Sequence, residues 1–396
     1  MRTRHRGLAA SLLVLALGAT AVAPAVAATP SPAADGPALT AAAQQLRLPA
    51  PTGPYGVGES TLYLRDTGRA DPYVPEAGGR ELLASVFYPA RAGSGVPAPY
   101  MSEQEAELLL ASRGLGGLVE PGVVGATETH ARLGAAPARG RFPLIVLSPG
   151  FGQSRFTLTS LAADLASRGY VVAAVDHAHE STATVFPGGR VLPCAACDLV
   201  ERTGDAGMAE VARGRAKDVS FLLDRLTDVH PAWRYAPMID RRRVGMAGHS
   251  IGGDSAAATM AADGRVRAGV NMDGAFYEPV PAAGLRGRPF MVLGTDVQHA
   301  PGSTTDTTWD RDWPHLDGWK RWLTVAGAGH FTFTDMPVLG EELGIKDPSA
   351  PLAADRSSRI TRDYVAAFFG LHLKGVPQPL LAGPTAANPE VSFQSP

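Results

Sequence analysis

The sequence predicts an α/β fold with a mostly parallel, doubly wound sheet and helices on both faces. Two observations lead there. From Pro143 onward the strand candidates are unbroken apolar runs, as strands covered on both faces require. Segments of helical periodicity separate most of those runs, the alternation of a parallel sheet with crossover helices.

Taken in order, Thr61–Arg65 and Leu82–Tyr88 follow one another without a helix, so they are expected to form an antiparallel edge. Pro143–Leu147, Tyr170–Val175, Arg243–Ala247, Val266–Met272, Phe290–Gly294 and Trp322–Val325 supply the rest of the sheet. Phe156–Arg168 reads as a helix that stops before Gly169. Met208–Leu226 carries Val211, Arg215, Val219, Leu222, Leu223 and Leu226, mostly at helical spacing. Ile251–Ala262 is rich in small residues. Ser357–Lys374 puts Ile360, Tyr364, Val365, Phe368 and Phe369 on one face and ends at Gly375 and Pro377. Residues 91–140, with a short helical stretch at Ser102–Ser112, and residues 177–206 break the repeat. Both are expected as insertions over the C-terminal strand ends, where they shape a pocket.

Residues 1–27 have the layout of a secretory signal peptide. Arg2, Arg4, His5 and Arg6 precede apolar Leu8–Ala23, and Ala25-Val26-Ala27 offers small residues for cleavage. The apolar run is short for a membrane anchor, and its arginines are not paired as twin-Arg export needs. The mature chain is therefore expected to be secreted, without a transmembrane anchor. Residues 28–54, rich in Ala and Pro, read as a flexible leader into a single domain over 55–396. The whole chain has 36 basic and 38 acidic residues, and three of the basic ones lie in the signal. That balance gives no reason to expect nucleic acid or an anionic membrane as partner. The only cysteines, Cys194 and Cys197, lack the second pair of a zinc site. They are expected to close a small disulfide loop.

The most informative stretch is RRRVGMAGHSIGGDSAA (241–257). A strand runs into Gly248-His249-Ser250-Ile251-Gly252, and a helix follows. This is G-x-S-x-G in its strand–turn–helix setting, the nucleophile elbow of the α/β-hydrolase fold. The turn aims the Ser250 hydroxyl into the site, and the two glycines let strand and helix approach closely. Phosphate binding is excluded, because neither G-x-x-x-x-G-K-[ST] nor G-x-G-x-x-G opens the helix. The Ile251 N–H is the expected first oxyanion donor. The loop Ser148-Pro149-Gly150-Phe151-Gly152 is expected to supply the second from Phe151.

His330, in AGAGHFTFTD after the last long strand, is the expected general base. His249 is confined to the elbow, with an orienting or packing role. His177 and His179 hint at a metal pair, but spacing supplies no third ligand, and no metal or organic cofactor is expected. Two acids compete. Asp273 ends the strand GVNM, and Asp296 ends the next, PFMVLGT. Either would lie at the active edge of the sheet, and physical reasoning leaves both open.

The stretch SPGFGQSRFTLTSLAADLASRGYVVAAVDHAHES (148–181) resembles the secreted platelet-activating-factor acetylhydrolase group. RAKD (215–218), GHSIGG (248–253), NMDGAF (271–276) and GHFTFTD (329–335) continue the similarity. The elbow and the small residues leading to the final His are similar to bacterial lipases and polyester hydrolases too. The resemblance implies Ser250 as nucleophile, Asp273 as acid with Asp296 as the alternative, His330 as base, and Phe151 and Ile251 as oxyanion donors. Pro149-Gly150 departs from the His-Gly usual in that loop. The resemblance also implies a lipid or other small-molecule ester as substrate. A polyester or cutinase-like hydrolase, a peptidase on the same fold, or an inactive hydrolase-like binding protein are the alternatives.

Overall fold

The computed structural model describes residues 45–396. The signal peptide expected at 1–27 and residues 28–44 of the expected leader lie outside the described residues. From Leu46 onward the chain is packed. Leu46 and Leu48 are buried, Thr52 donates through N and Oγ1 to Asp164 Oδ1, and Arg362 Nη1 donates to the Ala50 carbonyl. Residues 45–54 thus have fixed partners in the domain, where the sequence suggested a flexible lead-in.

Eleven of the strands join one sheet. The strands are β1 (Gly56–Ala70), β2 (Gly79–Ala90), β3 (Val96–Pro97), β4 (Ala131–Leu133), β5 (Phe142–Ser148), β6 (Val171–His177), the separate hairpin β7 (Val185–Phe186) and β8 (Arg190–Val191), β9 (Ile239–His249), β10 (Val266–Met272), β11 (Phe290–Thr295), β12 (Lys320–Val325) and β13 (Val391–Gln394). The sheet order is β13-β12-β11-β10-β9-β5-β6-β2-β1-β4-β3. From β6 to β12 all neighbours are parallel, and β2 and β13 pair antiparallel at either end of that block. β1 and β2 are antiparallel as expected, but they do not form the sheet's edge. Residues of the first insertion add β4 and β3 outside them.

The helices are α1 (Glu103–Ser112), α2 (Pro121–Gly125), α3 (Thr159–Ser167), α4 (Ala195–Thr203), α5 (Asp205–Thr227), α6 (Ile251–Ala262), α7 (Asp296–His299), α8 (Thr308–Asp312), α9 (Met336–Glu342) and α10 (Ala354–Lys374). Alternate strand residues bury two separate cores, because successive side chains leave opposite sheet faces. Leu144, Val146 and Ala173 meet α5 and α6 through Leu222, Leu223 and Met260. Ile145, Leu147 and Ala174 meet α3 and α10 through Leu161, Leu165, Phe368 and Phe369. α10 ends on Gly375 at φ 68°, a left-handed cap that suits glycine. Among the described residues no helix is long and apolar enough to cross a membrane.

Candidate active site

β9 and α6 join at Ser250, whose backbone sits at φ 55°, ψ −128°, a region that non-glycine residues rarely adopt. The surroundings hold it there. The Ser250 N–H donates to the Met272 carbonyl at 2.8 Å, and the Gly253 N–H returns to the Ser250 carbonyl at 2.8 Å. The flanking glycines are required. A Cβ on Gly248 would lie 2.1 Å from the Gly252 backbone, and one on Gly252 would lie 2.1 Å from the Ser148 carbonyl oxygen.

Asp273 follows β10, also at positive φ (58°) and fully buried. Its turn is clamped by Asn271, whose Oδ1 accepts from the Gly274 N–H (2.9 Å) and whose Nδ2 donates to the Gly274 carbonyl (2.8 Å). Sequence reading passed over Asn271, although the Asn-x-x-Gly spacing after a strand was its signal. His330 lies beyond β12 on a short 3₁₀ turn (His330–Phe333), and its Nδ1 donates to Asp273 Oδ2 at 2.7 Å. Asp273 Oδ1 accepts from the Thr295 N–H at 2.7 Å. Burial pushes the Asp273 carboxyl up. The His330 hydrogen bond, the His299 and His330 charges and the Thr295 N–H outweigh it and hold it below the usual carboxylate range.

Asp296 opens α7 and makes no hydrogen bond to His330. Its Oδ1 is buried without a partner among the described residues. Ser250 Oγ and His330 are likewise not hydrogen-bonded among the described residues; His330 Nδ1 bonds Asp273 instead. Among them, too, neither the Phe151 nor the Ile251 N–H has an intramolecular acceptor.

The loop carrying Phe151 is braced from below. Arg215 Nη1 donates to the Pro149 carbonyl (2.5 Å) and to Ser148 Oγ (3.1 Å), and the Gly152 N–H donates to the Glu180 carbonyl (3.0 Å). Arg215 Nε also holds Glu180 Oε2 at 2.7 Å, and Arg80 Nη2 bridges Glu180 and Asp218 at 2.6 and 2.8 Å. His177, Glu180 and Asp218 therefore converge closely enough to suggest a cation site, with the third ligand that spacing did not reveal. Their oxygens are already engaged by guanidinium N–H groups, and His177 Nδ1 bonds Asp218 Oδ2 at 2.8 Å. Burial and the Arg215 charge push the His177 imidazole below its ordinary range. His179 is not part of this cluster; its Nδ1 faces the Pro193 carbonyl. The sequence signal for the brace was an arginine inside the apolar stripe of α5.

Two apolar surfaces flank the site. Ile251 and Ala196 pack with Phe151, Val200, Met208 and Tyr277, so the second insertion covers the Phe151 loop. Cys194 and Cys197 are joined as a disulfide at the head of α4. On the other side a cavity of about 620 Å³ opens between α1, α2 and α9, lined by Leu109, Leu110, Leu115, Val124, Phe331 and Met336. Arg113 links this cavity to the loop that carries Phe151 and Gln153. Its Nη2 donates to Gln153 Oε1 at 2.6 Å, and its guanidinium lies 4.7 Å from the centroid of the Phe331 ring.

This sheet is that of the α/β-hydrolase class, and the similar proteins named next make the chain a carboxylic-ester hydrolase. The family model described as "Platelet-activating factor acetylhydrolase, isoform II" matches residues 40–187. The chain is 28% identical over 381 residues to a probable 1-alkyl-2-acetylglycerophosphocholine esterase of Arthroderma benhamiae, covering 87% of this chain and 93% of that one. It is 24% identical over 358 residues to the platelet-activating factor acetylhydrolase of Cavia porcellus, covering 82% and 78%. Among solved structures it resembles a ferulic acid esterase from Streptomyces cinnamoneus, with a TM-score of 0.78 and 43% identity, over 89% of this chain and 100% of that one. The chain is thus similar to the platelet-activating factor acetylhydrolases in sequence and to a ferulic acid esterase in sequence and fold.

Proposed function

We propose that the chain is a secreted serine esterase that works through an acyl-enzyme on Ser250. The observation that carries this reading is the 2.7 Å His330–Asp273 hydrogen bond next to an elbow serine held at φ 55°. In this mechanism His330 Nε2 takes the Ser250 proton as Oγ attacks the ester carbonyl. Asp273 fixes the imidazole tautomer and stabilises the imidazolium. The Phe151 and Ile251 N–H groups receive the oxyanion, and His330 protonates the departing alcohol. Water, activated by the same imidazole, then releases the acid. Secretion rests on the basic, apolar and small-residue segments of residues 1–27, and 55–396 acts as the single catalytic domain.

The substrate reading favoured by the named relatives is a short-acyl ester of a glycerophospholipid. A second reading, an ester of a hydroxycinnamic acid, is favoured by the 43% identity to a ferulic acid esterase. A fluorophosphonate probe followed by peptide mass spectrometry tests the mechanism: the adduct must fall on Ser250 and vanish in Ser250→Ala. Labelling elsewhere, or undiminished p-nitrophenyl acetate turnover by Ser250→Ala, would overturn it. Acetylated ether phosphocholine and methyl ferulate, assayed side by side, decide the substrate by the larger kcat/KM.

A further inference from the structure

Arg113 caps the C-terminal end of α1 and contributes its side chain to the wall of the apolar cavity. The helix delivers it from a fixed point. At the far end of α1 a capping box joins Ser102 and Glu105: the Ser102 N–H donates to Glu105 Oε2 at 3.0 Å, and the Glu105 N–H donates to Ser102 Oγ at 3.2 Å. At the near end the Arg113 N–H reaches the Leu109 and Leu110 carbonyls, and Gly114 turns the chain away at φ 69°. The half-buried guanidinium lies over the Phe331 ring and holds Gln153, two residues after Phe151. Phe331 in turn meets the His330 ring edge-on, with centroids 5.5 Å apart. A single phenyl ring therefore separates the guanidinium from the proposed base.

Arg113 has no carboxylate within ion-pair distance among the described residues. Other arginines around the site do: Arg215 pairs with Glu180, and Arg155 pairs with Asp176. Glu341 and Asp347 line the same cavity without pairing with Arg113. Burial pushes the guanidinium down from its ordinary range and no carboxylate offsets this, yet arginine stays charged. A guanidinium has five N–H donors, and the neutral Gln153 side chain takes one from Nη2. Nε and Nη1 have no acceptor among the described residues and are not sealed from solvent. A helix dipole favours a cation at this end of α1, but that attraction needs no donor direction and would hold with the side chain in water. A charged fork with donors to spare, set in an apolar wall, suits an amphiphilic ligand: a chain for the cavity and an anion for the fork. Phosphate oxygens match the fork, which engages them two at a time.

We propose that Arg113 is a specificity-determining residue of the esterase: it binds the phosphate of a phosphate-bearing ester while the apolar chain of the same molecule enters the cavity and the ester carbonyl lies at Ser250. This rests on the serine-esterase reading and on its phospholipid substrate. In an acetylated glycerophospholipid only a few bonds separate the ester from the phosphate, so one molecule can meet Ser250 and Arg113 together. Methyl ferulate carries no such anion and leaves the fork unused.

The test uses two acetyl esters that differ only in the headgroup, an acetylated ether glycerophosphocholine and the matching acetylated ether glycerol, presented in the same detergent micelles. The full chain is assayed as parent, Arg113→Gln and Arg113→Lys, with thermal melts in parallel. The quantity read is the ratio of kcat/KM, phosphate-bearing over neutral. In Arg113→Gln it should fall at least about tenfold, the size of a lost charge-assisted contact. Arg113→Lys keeps the charge, loses the fork and should lie between. A smaller fall in Arg113→Gln overturns the proposal, since a merely structural side chain would slow both esters alike. If Arg113→Gln does not fold, Arg113→Lys decides, and a ratio within about twofold of the parent overturns it. Turnover of the neutral ester alone by the parent overturns it as well. If the parent hydrolyses neither lipid ester, the phospholipid reading has failed and the role of Arg113 with it; if Ser250→Ala keeps its p-nitrophenyl acetate turnover, the mechanism has failed. If the parent hydrolyses both lipid esters through Ser250 and the ratio holds in Arg113→Gln, only the role of Arg113 has failed.

Discussion

The His249 imidazole donates from Nε2 to the backbone carbonyl of His330 at 2.7 Å. The residue before the elbow serine therefore tethers the loop that carries the proposed base. Burial, then the nearby His330, push His249 down to about 3, so it is neutral at working pH, and its Nδ1 is buried without a partner among the described residues. His249→Leu keeps the apolar packing and loses the tether. It should lower kcat about 10- to 100-fold with little change in KM, the size expected for a displaced reacting group. Steady-state kinetics on a soluble ester check this.

Asp273→Asn and Asp296→Asn separate the two acids. The first should lower kcat by roughly 10⁴-fold, the size of effect known when a triad acid becomes an amide. The second should leave kcat within about threefold, because Asp296 makes no bond to His330. Active-site titration beside the kinetics keeps misfolded protein out of the comparison.

Arg215→Met removes the brace under the proposed oxyanion loop and leaves Glu180 with Arg80 alone as its guanidinium partner. Breaking a buried ion pair from one side costs about 3–5 kcal/mol, so the urea midpoint should fall markedly. In protein that remains folded, kcat should also fall, by up to about 10²-fold, as Phe151 drifts from its donor position. An unchanged kcat would show that the loop holds its shape without Arg215.

Asp335 is buried and accepts from the Ser160 N–H at 3.1–3.2 Å. Burial pushes its carboxyl up to about 8, against the opposing pull of backbone N–H groups and Arg362. A folded-state value above the unfolded one means that its contribution is fully present below about pH 4. It is lost as pH rises toward 8. The parent melting temperature should therefore decline over that window, and Asp335→Asn should flatten the decline. A parallel decline in both proteins would assign it to other groups.

Filling the cavity tests its relation to chain length. Met336→Trp narrows the space beside Phe331, next to His330 in sequence. It should lower kcat/KM for p-nitrophenyl octanoate at least about tenfold and leave the acetate ester within about twofold, which matches the loss of several buried methylenes at ~0.8 kcal/mol each. Equal effects on both esters would place the acyl chain elsewhere.

The sheet was readable because a strand buried on both faces must be apolar throughout. Val266–Met272 and Ile251–Ala262 end where the pattern ends. The two-residue strands β3, β7 and β8 were not readable, since so few residues carry no periodicity, and β13 is a short edge strand beyond the last helix. Ser250, Asp273 and His330 stood out because each sits where a strand stops. The choice between Asp273 and Asp296 did not follow from local pattern: both end strands, and only the path of the loop after β12 brings His330 to one of them. Arg215, Glu180 and Arg80 pair over long separations, which no local pattern records.

Ser250 and Asp273 share a left-handed backbone, at φ 55° and 58°. Glycine would adopt that conformation at little cost, whereas other residues there typically store about 1–3 kcal/mol of strain. The two are coupled as well, since the Ser250 N–H is anchored on the carbonyl immediately before Asp273. A chain selected only for endurance would drift toward glycine at both positions and become sturdier and inert. Screens for heat tolerance in this enzyme therefore need an activity filter, because the changes most rewarding to the fold lie at the residues assigned to its chemistry.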